Sequence, residues 1–448
     1  MQTAATASRR LIVFFLAALA VHAFFCLSLH YHYLDRFFYI TTHAKGQGGC
    51  FFGVYQAGAN LLDGESIYAN ETYRTLDQLA VPFYHYYRYV PFPSYVASVV
   101  TRVLKPWPAY WIWVVINEIL LATCIVMTLR LRKQYGTAAI IASAFWLLFS
   151  PMYIELHMGQ FCFTMAFFIF LMLYPYLKAK SHETGGDPAL AAPSSRLLSP
   201  LSWILSVLLK SFTALYTITL LRIGKKKLVI LGLALAILTS VPYFAQHPQD
   251  LKHFIRINFQ PLPAHTLGGY FGFSVLIKDI SNRVLAFAGD RMIGLGPLDI
   301  SVTNIPVLVA LACIFLLTLF LTVRTRRVDP LASISLWTLT FFLVFRDIWE
   351  YHYVMLLPIL VAYYLQTSSK FILVIFILLA IPTPFFLYDV PGSDNPQAYW
   401  SAPLSLLHHS FKAVPTLLLY LWIVRKELAG IPGLRSLLSP GQTAQERA

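Results

Sequence analysis

Residues 198–221, LSPLSWILSVLLKSFTALYTITLL, are apolar enough for a bilayer, yet basic residues flank both ends: Arg196 before, and Arg222, Lys225, Lys226 and Lys227 after. Under the positive-inside rule both ends then lie on the same inner face, which a single crossing does not allow. Lys210 divides the stretch into two pieces, each too short to span about 30 Å of hydrocarbon. The stretch is therefore expected to form a re-entrant helix pair with Lys210 near its tip. Broken backbone at that depth is tolerated only where protein buries it or a wet cavity adjoins it.

The surrounding chain supports a bilayer setting. Of 448 residues, 58% are apolar and 12% charged, with a mean hydropathy of +0.63; a soluble domain averages about 25% charged. The formal net charge of +14 would suggest a nucleic-acid partner in a soluble protein. Here the Lys and Arg clusters sit between apolar runs and report orientation instead. The five cysteines, at 26, 50, 124, 162 and 313, show no C-x-x-C spacing, so neither a disulfide framework nor a metal site is read from them.

The N-terminal SRRLIVFFLAALAVHAFFCLSL has two arginines before a span-length apolar run and no A-x-A-like cleavage site after it. It reads as a retained first span, about 10–29, running inside to outside. Further spans are expected at about 108–133, 136–152, 158–180, 228–245, 303–323, 331–345, 351–366, 371–388 and 408–424, about ten full crossings in all besides the hairpin. Outer loops then cover 30–107, 246–300 and 389–407, and 179–197 is a flexible cytoplasmic loop. Residues 1–430 form one transmembrane domain, and 431–448 a cytoplasmic tail. The expected class is an all-α polytopic protein of the plasma membrane with both termini cytoplasmic.

The sizeable outer loops are where chemistry is expected. In FFGVYQAGANLLDGESIY, Val54, Ala57, Leu61 and Leu62 recur at helical spacing before an Asp63-Gly64 stop, as in a short interfacial helix. FYHYYRYVPFPSY then crowds Phe83, Tyr84, Tyr86, Tyr87, Tyr89, Phe92 and Tyr95 around His85 and Arg88. It reads either as an aromatic belt or as a sugar-binding wall. The 246–300 loop carries His247, Lys252, His253, Arg256, Asn258 and His265 before Gly268-Gly269. The histidines lack tight ligand spacing, and a basic flap on a Gly-Gly hinge suits them better than a metal. Glu118, in mid-span, is exceptional enough to need a buried cation, with Lys210 as one guess. At 346–353, RDIWEYHY sets Arg346, Asp347, Glu350 and His352 at a span mouth. The cluster is either a self-neutralised cap or a functional site.

VYQAGANLLDGESIY, YRYVPFP, SPMYIELHMGQ, LLKSFTALYTITLLRIGKKK and WEYHYVMLLP occur in an order that resembles glycosyltransferase family 87, the polyprenol-phosphate-mannose-dependent mannosyltransferases of the GT-C fold. The resemblance covers roughly residues 10 to 370. It implies a GT-C-like domain and an inverting transfer of a sugar, mannose in the family, from a polyprenyl-phosphate donor to a lipid or glycan acceptor at the outer face, without cofactor or metal. The family's aspartate position falls on Phe51. The base is then expected to be Glu350 or Asp347 with help from His352, since a positioned base is worth about 10² to 10⁴ in rate. Cations aimed at the departing phosphate would be Lys210, Arg346, Arg256 and Arg88, with Lys210 alternatively a snorkelling lysine. Lys210 and Gln160 match family positions, and Tyr55, Tyr87, Tyr89, Trp349 and Asn258 are the expected sugar or acceptor contacts. The alternative is a non-catalytic lipid transporter or degenerate partner subunit on the same scaffold.

Overall fold

The computed structural model describes residues 2–38, 46–68, 80–82, 84–179, 193–259, 271–285, 292–295, 298–324, 329–384 and 399–431. Phe83, His265, Gly268-Gly269, most of the 179–197 loop and residues 432–448 lie outside them. In chain order the helices are α1 Gln2–Tyr31, α2 Gly49–Leu62, α3 Phe92–Val103, α4 Pro106–Arg130, α5 Arg132–Tyr135, α6 Thr137–Leu148, α7 Pro151–Met158, α8 Cys162–Ala179 and α9 Pro193–Leu209. They continue with α10 Thr217–Arg222, α11 Lys226–Gln246, α12 Pro248–Phe259, α13 Phe273–Val284, α14 Ile305–Arg324, α15 Pro330–Val344, α16 Leu357–Thr367, α17 Lys370–Ala380 and α18 Ala402–Ala429. The only strands among the described residues, β1 Met292–Leu295 and β2 Leu298–Ser301, pair antiparallel with Met292 opposite Ser301.

Among the described residues, five helices are long and apolar enough to cross a bilayer: Arg10–Tyr31, Pro106–Arg130, Cys162–Ala179, Lys226–Gln246 and Val302–Arg324. The bent pair α6 and α7 makes a sixth if counted as one span. Large apolar side chains such as Leu16, Ile119, Leu238 and Leu316 are exposed along them, as suits helices that face lipid. The chain is thus a helical, multi-pass membrane protein, with five or six candidate crossings in place of the expected ten.

The shortfall has a physical reason. The runs expected to cross at 331–345, 351–366 and 371–388 are helices of 15, 11 and 11 residues. At 1.5 Å per residue they reach only about 17 to 23 Å. In α15 and α16 the apolar character serves burial inside protein: every α16 residue from Leu357 to Leu365 is buried. Capping sets where they begin, with Asp329 accepting from Leu331 N at 3.0 Å and Ser369 from Phe371 N at 3.2 Å. The run expected at 136–152 bends by 45° between α6 and α7, where Pro151 lacks an N–H to continue α6 and instead opens α7.

The chain divides into two compact units. One comprises Met1–Ala214, Lys226–Thr266 and Tyr351–Pro396; the other comprises Leu215–Lys225, Leu267–Glu350 and Gln397–Ala448. In the first, α2 packs on α3, α8 on α9, and α6 on both α1 and α4. In the second, α18 packs on α13 and α15.

The expected interfacial helix is α2. It ends at Leu62 as the Asp63-Gly64 stop predicts, with Gly64 at φ 71°. Its setting differs, because Gly49, residues 51–58 and Asn60 are all buried, so α2 is an internal helix. Two glycines permit this. A Cβ on Gly53 would lie 2.2 Å from the carbonyl oxygen of His85, and one on Gly58 2.6 Å from the backbone of Ala97. Chain segments therefore approach α2 at backbone contact.

Candidate functional site

The helix carrying Lys210 is broken where the sequence predicts. Helix α9 stops at Leu209, and a 3₁₀ turn over Ser211–Tyr216 follows. Side chains satisfy the break: Ser206 Oγ donates to Thr213 Oγ1 at 2.9 Å, and Trp203 Nε1 to the Thr213 carbonyl at 3.0 Å. This replaces the ladder bonds lost to the turn, as irregular backbone away from water requires.

The Lys210 ammonium donates to Cys162 Sγ at 2.9 Å and lies 6.0 Å and 5.9 Å from the ring centres of Tyr89 and Tyr351. Gln160, 7% exposed, accepts from the Tyr89 hydroxyl at 2.9 Å. Lys210 also stands close enough to Glu155 and Cys50 to interact electrostatically. Glu155 is fully buried; its Oε1 accepts from Phe163 N at 2.8 Å, while Oε2 has no hydrogen-bond partner among the described residues. Among the described residues no carboxylate oxygen lies within 4.0 Å of the ammonium. Burial pushes the Cys50 thiol up to about 12 against the opposing pull of Lys210 and Arg88, so the thiol stays neutral. Burial likewise raises the Tyr89 phenol well above its ordinary value. A cation held by a thiol and two aromatic faces retains N–H donors for an anion.

Of the predicted residues, the fold thus brings together Lys210, Gln160, Tyr89 and Arg88. The sequence reading missed Glu155, Cys162 and Tyr351 in this cluster. Glu155 carried a visible signal, an ionisable side chain inside the apolar SPMYIELHMGQ.

The other predicted residues lie elsewhere. Tyr87 donates to the Val90 carbonyl at 2.6 Å and belongs to a hydrophobic cluster with Val54, Ala57, Tyr68 and Tyr243. Tyr55 donates to the Leu104 carbonyl at 2.6 Å, and Asn258 to that of Phe254 at 2.9 Å. Arg256 is exposed on α12. His247 stacks on Tyr243 with ring centres 4.7 Å apart. Phe51 sits among Phe52, Tyr110 and Trp113, with ring centres 6.0 to 6.1 Å apart, so this position is filled by core packing. Glu118 pairs with His22, Oε2 to Nε2 at 2.9 Å, rather than with Lys210.

RDIWEYHY does not form the expected helical face. Residues 345–349 are not helical, and the 3₁₀ helix Glu350–Leu356 begins only at Glu350. Asp347 accepts from Trp349 Nε1 at 2.7 Å. Arg346 is exposed. Glu350, 4% exposed, forms an ion pair with the fully buried Lys412 at 3.3 Å. His352, 8% exposed, belongs to the first unit and packs its ring 4.4 Å from that of Tyr351.

A second polar group gathers at the end of α1. Asp35 accepts from the hydroxyl of Tyr153 on Oδ1 and faces His32 Nδ1 at 2.9 Å and His157 Nε2 at 3.7 Å on Oδ2. Burial pushes the Asp35 carboxyl up, but His157, Tyr153 and His32 outweigh it and hold the carboxyl below its ordinary value. Comparison of the chain with protein-family models, with characterised proteins and with solved structures finds no match.

Proposed function

We propose that this membrane protein is a glycosyltransferase that moves a sugar, mannose by the family resemblance, from a polyprenyl-phosphate donor to a lipid or glycan acceptor at the extracytoplasmic face, with inversion. The observation that carries the reading is the Lys210 ammonium at its helix break, with a thiol and two tyrosine rings around it and no carboxylate in ion-pair range among the described residues. A phosphate leaving group needs a preorganised cation and no acid. Gln160, Tyr89 and Arg88 would line the same donor site. The acceptor proton goes to Glu155, a buried carboxylate of the first unit, because Glu350 is engaged by Lys412. The Tyr351 ring centre lies 5.9 Å from the ammonium.

The filled position 51 favours a second reading, in which the scaffold binds a polyprenyl phosphate without catalysis. Radiolabel transfer from synthetic polyprenyl-phosphate mannose to membrane extracts separates the two. The enzyme reading expects transfer by the wild type, with Glu155→Gln slower by about two to four orders of magnitude. An inactive wild type that still binds the donor would overturn catalysis and leave the binding reading.

A further inference from the structure

The geometry points to a divalent-cation site, of the zinc type, formed by His32, Asp35 and His157. We infer it from four features that stand independently of the transfer reading.

The ligand atoms, one from each side chain, lie within 4.8 Å of one another. In a zinc site with bonds of about 2.0 to 2.2 Å, ligand atoms stand roughly 3.3 to 3.5 Å apart. The distances from Asp35 Oδ2, 2.9 Å to His32 Nδ1 and 3.7 Å to His157 Nε2, fall on either side of that spacing. Along these two edges an ion would require shifts of only a few tenths of an ångström.

His157 is completely buried, and neither ring nitrogen has a hydrogen-bond partner among the described residues. Buried polar atoms are ordinarily satisfied. The imidazole aims Nε2 at Asp35 without reaching it, and an ion between them would satisfy Nε2.

The carboxylate is oriented for this role. The Tyr153 hydroxyl holds Oδ1, which leaves Oδ2 turned toward both histidines. Outer hydrogen bonds of this kind fix ligating carboxylates in metal sites.

The site also has an entry path. The His32 side chain is 46% exposed whereas that of His157 is 0% exposed, so one side opens to solvent and the other is sealed. Three protein ligands with an open fourth position is the donor set of a reactive metal site, in contrast to the closed four-ligand set of a structural one. The other three-ligand grouping, His22, Cys26 and Glu118, lies within the spans and serves as a control.

The test uses the full chain without a histidine tag, purified in detergent, stripped with chelator and titrated with Zn²⁺ by calorimetry and with Co²⁺ by visible absorption. One ion per chain is expected, with Co²⁺ bands typical of nitrogen and oxygen ligands. His32→Gln, at an exposed position that should not disturb folding, is expected to weaken binding by about 100-fold or more, as are Asp35→Asn and His157→Gln. Tyr153→Phe should weaken it by about 10- to 100-fold. Absence of uptake by the wild type overturns the site. So does binding that survives His32→Gln but disappears in Glu118→Gln, which would place the ion in the span grouping.

Discussion

Two lysines of this protein leave water in different company. In the second unit, Lys412 is fully buried on α18 and its ammonium meets the Glu350 carboxylate at 3.3 Å. In the first, Lys210 sits at a helix break with a thiol and two tyrosine rings, and no carboxylate is in ion-pair range among the described residues. A buried charge with its counter-charge is spent on structure, because each member exists to neutralise the other. A half-buried charge with no counter-charge in contact keeps part of its field for something that arrives. The contrast separates the two clusters more sharply than sequence did, where RDIWEYHY and Lys210 had equal standing.

The largest expected effect comes from breaking the matched pair. Lys412→Met leaves Glu350 buried without its cation, which costs about 3 to 5 kcal/mol. Thermal unfolding in detergent should show it, and adding Glu350→Gln should recover much of the loss. A Lys412→Met protein as stable as the wild type would show that the pair is not a structural one.

The next test addresses the unmatched lysine. Lys210→Met retains the apolar stem, so unfolding should move by less than about 1 kcal/mol. Transfer from the lipid-phosphate donor should nonetheless fall by about 10² to 10³. Equal loss of stability in both lysine variants would erase the distinction.

The smallest effect sharpens the comparison with a paired carboxylate near the surface. Burial pushes the Asp279 carboxyl up, but hydrogen bonds from His409 and Ser405, with Arg283 nearby, hold it below its ordinary value. A lowered carboxylate contributes stability that is present above its unfolded value and lost as pH falls through its folded one. Asp279→Asn should therefore reduce stability at neutral pH and flatten its decline in acid. An unchanged acid limb in unfolding curves would remove Asp279 from that account.

Hydropathy made α1, α4, α8, α11 and α14 legible, because each carries an apolar run over a span's length. It failed for α15, α16 and α17, which are as apolar but too short, so that length alone distinguishes the cases. The break at Lys210 was legible from its flanking charges and from the cost of a lysine among apolar residues. Its neighbours Gln160 and Tyr89 came from the family resemblance and the aromatic run. Glu155 and Cys162 were not, since one reads as part of a motif and the other as a core thiol. Asp35 and His157 were missed because nothing in a linear pattern joins the end of α1 to α7.

The two bare faces of α2 have a bearing on genetics. The His85 carbonyl rests on Gly53, and Ala97 on Gly58; the segment after His85 carries Arg88 and Tyr89 toward Lys210. A single methyl at Gly53 would wedge that segment outward and displace Tyr89 without touching it, and one at Gly58 would push α3 off α2. In a saturation screen scored by activity, Gly53 and Gly58 should therefore tolerate as little as Lys210 does, and an unannotated map of intolerant positions would count two spacers among the residues that bind.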